Sequence, residues 1–180
     1  MNLNAVDATL EKNQIRFAIK SAYPFQRFLN RFDHNGTLVV WYPRYYTTVR
    51  IKMDTYLKKG LRYNDLVAVD TLRPLSERVN MLPEFSGNHP VEGICLKPKI
   101  SAADAEKEAI DLIKGIVLSR NKLLKDYHIE CMDNKLVHLK TFVVKLKNRP
   151  MADWLYIDEH FLAASTVQKR PEILNCLKNY

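Results

Sequence analysis

Cysteine is scarce. Cys95, Cys131 and Cys176 are the three in 180 residues, and their number and wide spacing fit neither a disulfide framework nor a paired CxxC zinc site. A reducing compartment suits them. Long apolar runs are also missing: no window approaches the roughly 20 apolar residues that a bilayer span requires. Residues 1–20 are broken by Asp7, Glu11, Lys12 and Arg16, so they lack the apolar core of an export signal, and a cytoplasmic location is expected. No glycine-rich phosphate loop, HExxH, GxSxG or kinase-type set occurs, which lowers the expectation of an enzyme; no catalytic residue and no cofactor are assigned.

What is present is ordinary globular material. A hydrophobic fraction of 47% beside a charged fraction of 27% is enough to build a core and rules against disorder. The formal charge of +8, from 28 basic and 20 acidic side chains, gives a long-range field that favours polyanions.

Residues 6–32 carry apolar side chains at helical spacing, with Asp7 as a cap and Pro24 predicting a kink or a second short helix; Asn35-Gly36 ends this region with a turn. Residues 38–52 and 66–72 read as strands because they are rich in β-branched and aromatic side chains. Residues 83–98 hold Pro83, Pro90, Pro98, Gly87 and Gly93 and form the one plausible linker. Ser101 followed by Asp104 predicts a capped helix reaching about Lys125, with Ala105, Ala109, Ile113 and Val117 on its buried stripe. Residues 127–132 and 136–147 flank Asp133-Asn134 and read as a hairpin, followed by strands near 154–158 and 162–167.

The most informative feature is an internal repeat. A shift of 88 positions sets Asp158 on Asp70, Leu155 on Val67, Ile157 on Val69, Val167 on Val79, Pro171 on Pro83 and Glu172 on Glu84. Upstream, a shift of 97 sets Val137 on Val40, Leu139 on Tyr42, Phe142 on Tyr45 and Val143 on Tyr46. The expected fold is therefore α+β, with two α-β-β-β-like repeats, an antiparallel sheet and helices packed on one side. The expected division is a first repeat at 1–85, a linker at 86–99 and a second repeat at 100–180, each half's apolar face covered by its sister copy about a pseudo-twofold or by another subunit.

Residues 100–109, Ile-Ser-Ala-Ala-Asp-Ala-Glu-Lys-Glu-Ala, followed by Trp154-Leu155-Tyr156-Ile157-Asp158 and a turn into Ala163-Ala164, resemble the PepSY domain. That resemblance implies a small helix-plus-hairpin module and a role in regulating peptidases. Glu159-His160 stands where the family usually has a glycine after the aspartate.

Four groups of residues are candidates for chemistry. His128, Cys131 and His138 are the densest potential metal ligands, and a hairpin at Asp133-Asn134 would bring the two histidines together. Strand alternation points His128 and Cys131 to opposite faces, so no metal site is assigned. Asp70 and Asp158 end equivalent strands, where acid-base work is conceivable and acceptance from turn amides is the simpler role; Glu84 and Glu172 stand likewise. Tyr42, Arg44, Tyr46, Arg50 and Lys52 alternate onto one strand face and offer rings and cations to a nucleic acid. Their apolar counterparts Leu139 and Val143 argue instead that this face packs against a helix, and Pro43 suggests an edge or a bulge. Lys135, Lys140, Lys145, Lys147 and Arg149, with Lys169, Arg170 and Lys178, form a basic set able to solvate a surface or guard a strand edge.

The function expected on these grounds is a noncatalytic binding or scaffolding module that partners protein, most simply by self-association. A nucleic-acid-binding accessory protein is the alternative, and a peptidase regulator is the one implied by resemblance.

Overall fold

Ladder pairing between long strands organises this chain, seen here in a computed structural model that describes residues 5–6, 17, 37–83, 93–145, 154–158 and 163–177. The strands are β1 (Ala5–Val6), β2 (Thr37–Thr55), β3 (Leu61–Asp70), β4 (Leu75–Val79), β5 (Ile94–Cys95), β6 (Leu124–Lys145), β7 (Trp154–Asp158) and β8 (Ala163–Thr166). The helices are α1 (Ala102–Arg120) and α2 (Pro171–Leu177), the latter following a 3-10 turn at Val167–Lys169. Hydrogen-bonded neighbours run β4-β3-β2-β6-β7-β8, while β1 pairs with β6 and β5 with β2. The class is α+β, with antiparallel β2–β3, β3–β4, β6–β7 and β7–β8 pairs. Apart from Ala5–Val6 in β1 and the helical Phe17, the helix expected over 6–32 lies outside the described residues, as does most of the proline-containing segment.

The chain divides into two compact units. One gathers Met1–Tyr42, Ser86–Leu96 and Leu139–Tyr180; the other gathers Pro43–Phe85 and Lys97–His138. Both β2 and β6 contribute to each.

In the second unit α1 starts where its sequence says it should. The Ser101 side chain accepts from the Asp104 amide at 3.2 Å, and the Asp104 carboxylate accepts from the Ser101 amide at 3.2 Å. Ala105, Ala109, Ile113 and Val117 are buried against Tyr45, Val49, Ile51, Val67 and Val69. The two alanines allow the helix to lie close to the sheet. Asn121 ends the helix sooner than Lys125, because its amide and its side-chain Nδ2 both donate to Val117 O.

That packing corrects one expectation. The helix lies on the Tyr45, Val49 and Ile51 side of β2, so in this unit Arg44, Tyr46, Arg50 and Lys52 take the other side by strand alternation.

The expected hairpin at Asp133-Asn134 is also absent, since β6 runs unbroken through it. Tyr127 and Ile129 pack against the α1 core, and so does Leu136. The core-facing positions change from odd to even between them. Turn-type residues here sit within a strand without reversing it.

In the first unit the core comprises Val40, Trp41, Tyr42, Leu139, Phe142, Val143, Leu155, Tyr156 and Ile157, with Val167 and Ile173 from the C-terminal segment. Thr141 Oγ1 donates to Val40 O at 2.6 Å within it. Gly93 permits β5 to run beside β2: its φ is +109°, and a side chain there would collide with the Val39 carbonyl. Pro43 falls between the β2 residues paired with β5, Val40 and Trp41, and those paired with β3, from Arg44 onward. A residue without an amide donor fits that gap.

The two pairs of ladders are registered alike. Arg44 opposes Asp70, Tyr45 opposes Val69 and Tyr46 opposes Ala68; Thr141 opposes Asp158, Phe142 opposes Ile157 and Val143 opposes Tyr156. Shifts of 97 and 88 carry each of the first pairs onto the corresponding second pair. A shift of 88 on both strands likewise carries Val67 opposite Arg78 onto Leu155 opposite Thr166.

Candidate functional site

Five alternating residues of β2 were the sequence's candidate interface, and burial separates them. Tyr42 is 1% exposed; its hydroxyl donates to Glu172 Oε1 at 3.4 Å, and the Arg170 guanidinium lies 5.6 Å from its ring and 4.5 Å from that of Tyr156. Tyr46 is 6% exposed and Arg44 8%, with Arg44 Nη1 3.0 Å from Glu77 Oε1. Neither ring is open to stack on a base.

Arg50 and Lys52 remain accessible. Their cross-strand partners in β3 are Asn64 and Arg62, all on the sheet side away from α1. These four side chains and Tyr63 line a shallow depression of about 300 Å³. Glu130 of β6 is the carboxylate beside it, 3.4 Å from Arg50 Nη1 and 3.0 Å from Lys52 Nζ. The Lys52 hydrogen bond holds the Glu130 carboxyl below its usual range; burial is the next influence and opposes it, and the neighbouring Lys52 and Arg50 charges add to the lowering. Burial, and secondarily Asp65, raise the Tyr63 phenol, and Tyr63 stands opposite Ile51, whose side chain belongs to the α1 core. Arg62, Tyr63 and Asn64 were not read as strand residues, because the stretch from Arg62 to Asp65 is polar. The signal was present: Leu61 and Tyr63 alternate with Arg62 and Asn64 directly after the Asp54–Gly60 turn, in which Gly60 N donates to Asp54 Oδ1 at 2.7 Å.

Asp70 is buried, and its Oδ1 accepts from the amides of Leu72 at 2.9 Å and Arg73 at 3.2 Å. Asp158 holds the equivalent ladder position opposite Thr141. Glu172 meets Tyr42, and Glu84 lies outside the described residues.

Other candidates are dispersed. His128 and His138 sit ten residues apart on one strand, roughly 33 Å at ~3.3 Å per residue, so the proximity expected from a hairpin does not arise. His138 is buried, while His128 is exposed with Nε2 3.7 Å from Glu130 Oε2. Among the described residues no three potential ligands cluster. Burial raises the Cys95 thiol, and burial followed by Glu106 raises Cys131. Of the basic set, Lys135 pairs with Asp133 at 2.9 Å, and Lys140 Nζ lies 5.9 Å from the Trp41 ring and 5.8 Å from Phe142. Lys147, Arg149 and Lys178 lie outside the described residues. Among the described residues no helix is long and apolar enough to cross a membrane.

Comparison with protein-family models, curated proteins and solved structures finds no match, so nothing there bears on the PepSY resemblance.

Proposed function

We propose that this chain is a noncatalytic binding module that holds polyanions at the accessible end of β2 and β3 marked by Arg50, Lys52 and Arg62. One observation carries the reading: Arg50, Lys52 and Arg62 converge with the Asn64 amide on one open depression. Guanidinium groups stay charged at all physiological pH, and forked donors suit phosphate and carboxylate oxygens. Glu130 orients Arg50 and Lys52 but offsets one charge of three, leaving the surface cationic.

The test is fluorescence anisotropy with a labelled single-stranded oligonucleotide as the polyanion probe, repeated at rising salt. Three phosphate contacts give a slope of log affinity against log salt of roughly −2. The Arg50→Glu/Arg62→Glu variant is expected to bind at least about tenfold more weakly, since each reversal exchanges attraction for repulsion. Absence of binding at low salt, or unchanged binding by that variant, contradicts the reading.

We further propose that the two halves are copies of one motif. The support is the shared ladder register, which follows the same two offsets as the sequence repeat. Self-association is a second reading, favoured by the pairing order, in which β4 and β8 each have one neighbour among the described strands. Leu75, exposed on β4, provides the probe: Leu75→Lys should lower the mass measured by light scattering across a concentration series. A mass equal to one chain throughout that series removes this second reading.

A further inference from the structure

The β2–β3 loop carries Tyr56 and Leu57, which are 75% and 80% exposed, and the α1–β6 loop carries Leu123 at 51%. A backbone hydrogen bond from Tyr56 N to Leu123 O, at 3.1 Å, ties the two loops together. The first loop is also braced internally: Thr55 N donates to Lys58 O at 2.7 Å, and Lys58 N to Thr55 Oγ1 at 2.9 Å. Exposed apolar side chains therefore stand on a held tip. Around them are the exposed cations Lys58, Lys59, Arg120, Lys122 and Lys125; among the described residues none of the five forms an ion pair. Lys52 and Arg62, from the depression described above, also line the recess at the base of this loop beside Asp54 and Gly60.

We infer that this tip docks on an anionic lipid surface, with Tyr56, Leu57 and Leu123 entering the headgroup boundary and the surrounding cations meeting lipid phosphates and carboxylates. The inference rests on the polyanion reading and names its partner. Three apolar side chains are too few for a stable protein interface, which takes about 800 Å² per partner. They suit a bilayer boundary, where an amphipathic tyrosine sits at headgroup level and leucine reaches the acyl chains. The cations supply the other half, since basic residues are drawn to the negative potential of an anionic leaflet. A nucleic acid held at Arg50, Lys52 and Arg62 would leave Tyr56 and both leucines in water.

Co-sedimentation with vesicles of phosphatidylcholine alone, and of phosphatidylcholine with phosphatidylserine, tests this alongside the oligonucleotide assay. The expected result is binding to the serine-containing vesicles that weakens with salt, and little to phosphatidylcholine alone. Tyr56→Ser/Leu57→Ser is expected to weaken vesicle binding by about tenfold and leave oligonucleotide affinity unchanged. Lys58→Ser/Lys59→Ser should weaken vesicle binding by on the order of 20-fold. All four positions are exposed, so circular dichroism should show both variants folded. Oligonucleotide binding without vesicle binding overturns the lipid inference and leaves the polyanion reading standing. Vesicle binding indifferent to Tyr56→Ser/Leu57→Ser overturns insertion of the tip. Failure to bind either probe overturns both.

Discussion

Arg44 stands directly across the β2–β3 ladder from Asp70, and Thr141 stands in the same relation to Asp158 across β6–β7. In the first pair Arg44 reaches Glu77 on β4, while Asp70 turns to the amides that open the β3–β4 turn. A position that invites acid-base chemistry when read as sequence is thus occupied by a carboxylate engaged in closing a turn.

Asp70→Ala is accordingly expected to destabilise the protein by about 1–3 kcal/mol, the cost of leaving partly buried amides unsatisfied. Urea titration followed by circular dichroism checks this. Unchanged stability would mean that water replaces the carboxylate at no cost.

Ile113 is enclosed by the second unit's core, whereas Leu118 on the same helix is half exposed. Ile113→Ala should cost roughly 2–5 kcal/mol, and Leu118→Ala well under that, with helix propensity slightly in alanine's favour. Paired denaturation curves separate the two.

The capping box makes α1 sensitive to acid. Hydrogen bonds from the Ser101 side chain and then its amide hold the Asp104 carboxyl below its ordinary value of 3.8. A depressed folded value means that the contribution is present at neutral pH and down to the ordinary value. It is lost as pH falls through the folded value below 3.8. The stability gap between the wild type and Asp104→Ala should narrow over that acid interval, as measured by urea titrations at stepped pH.

Cys95 and Cys131 have thiols pushed up by burial, so both are protonated at neutral pH. Alkylation by iodoacetamide should be slow in the native protein and accelerate in denaturant. Rapid native labelling of either, read by peptide mass spectrometry, would contradict this.

The legible part of the fold was the part with strong local chemistry. Ser101, Asp104 and the four-residue spacing from Ala105 to Val117 define α1, and Trp154 to Asp158 read as a strand. Strand β4 was not read as one, because Leu75-Ser-Glu-Arg-Val79 is polar edge material whose pairing is set by β3. Asp133-Asn134 misled because turn-type residues do not end a strand that the sheet holds on either side. The candidate interface was half legible: alternation found Arg50 and Lys52, but only the β3 register brings Arg62 and Asn64 beside them. Burial of Tyr42 involves residues far away in sequence, Arg170 and Glu172, and no local pattern carries that information.

The most direct measurement is a nuclear magnetic resonance titration of the isotope-labelled protein with the oligonucleotide, followed amide by amide. The account predicts shifts concentrated at Arg50, Lys52, Arg62, Asn64 and Glu130, fading as salt is raised. Shifts centred instead on Tyr42, Tyr156 and Arg170, with those five amides silent, would contradict it.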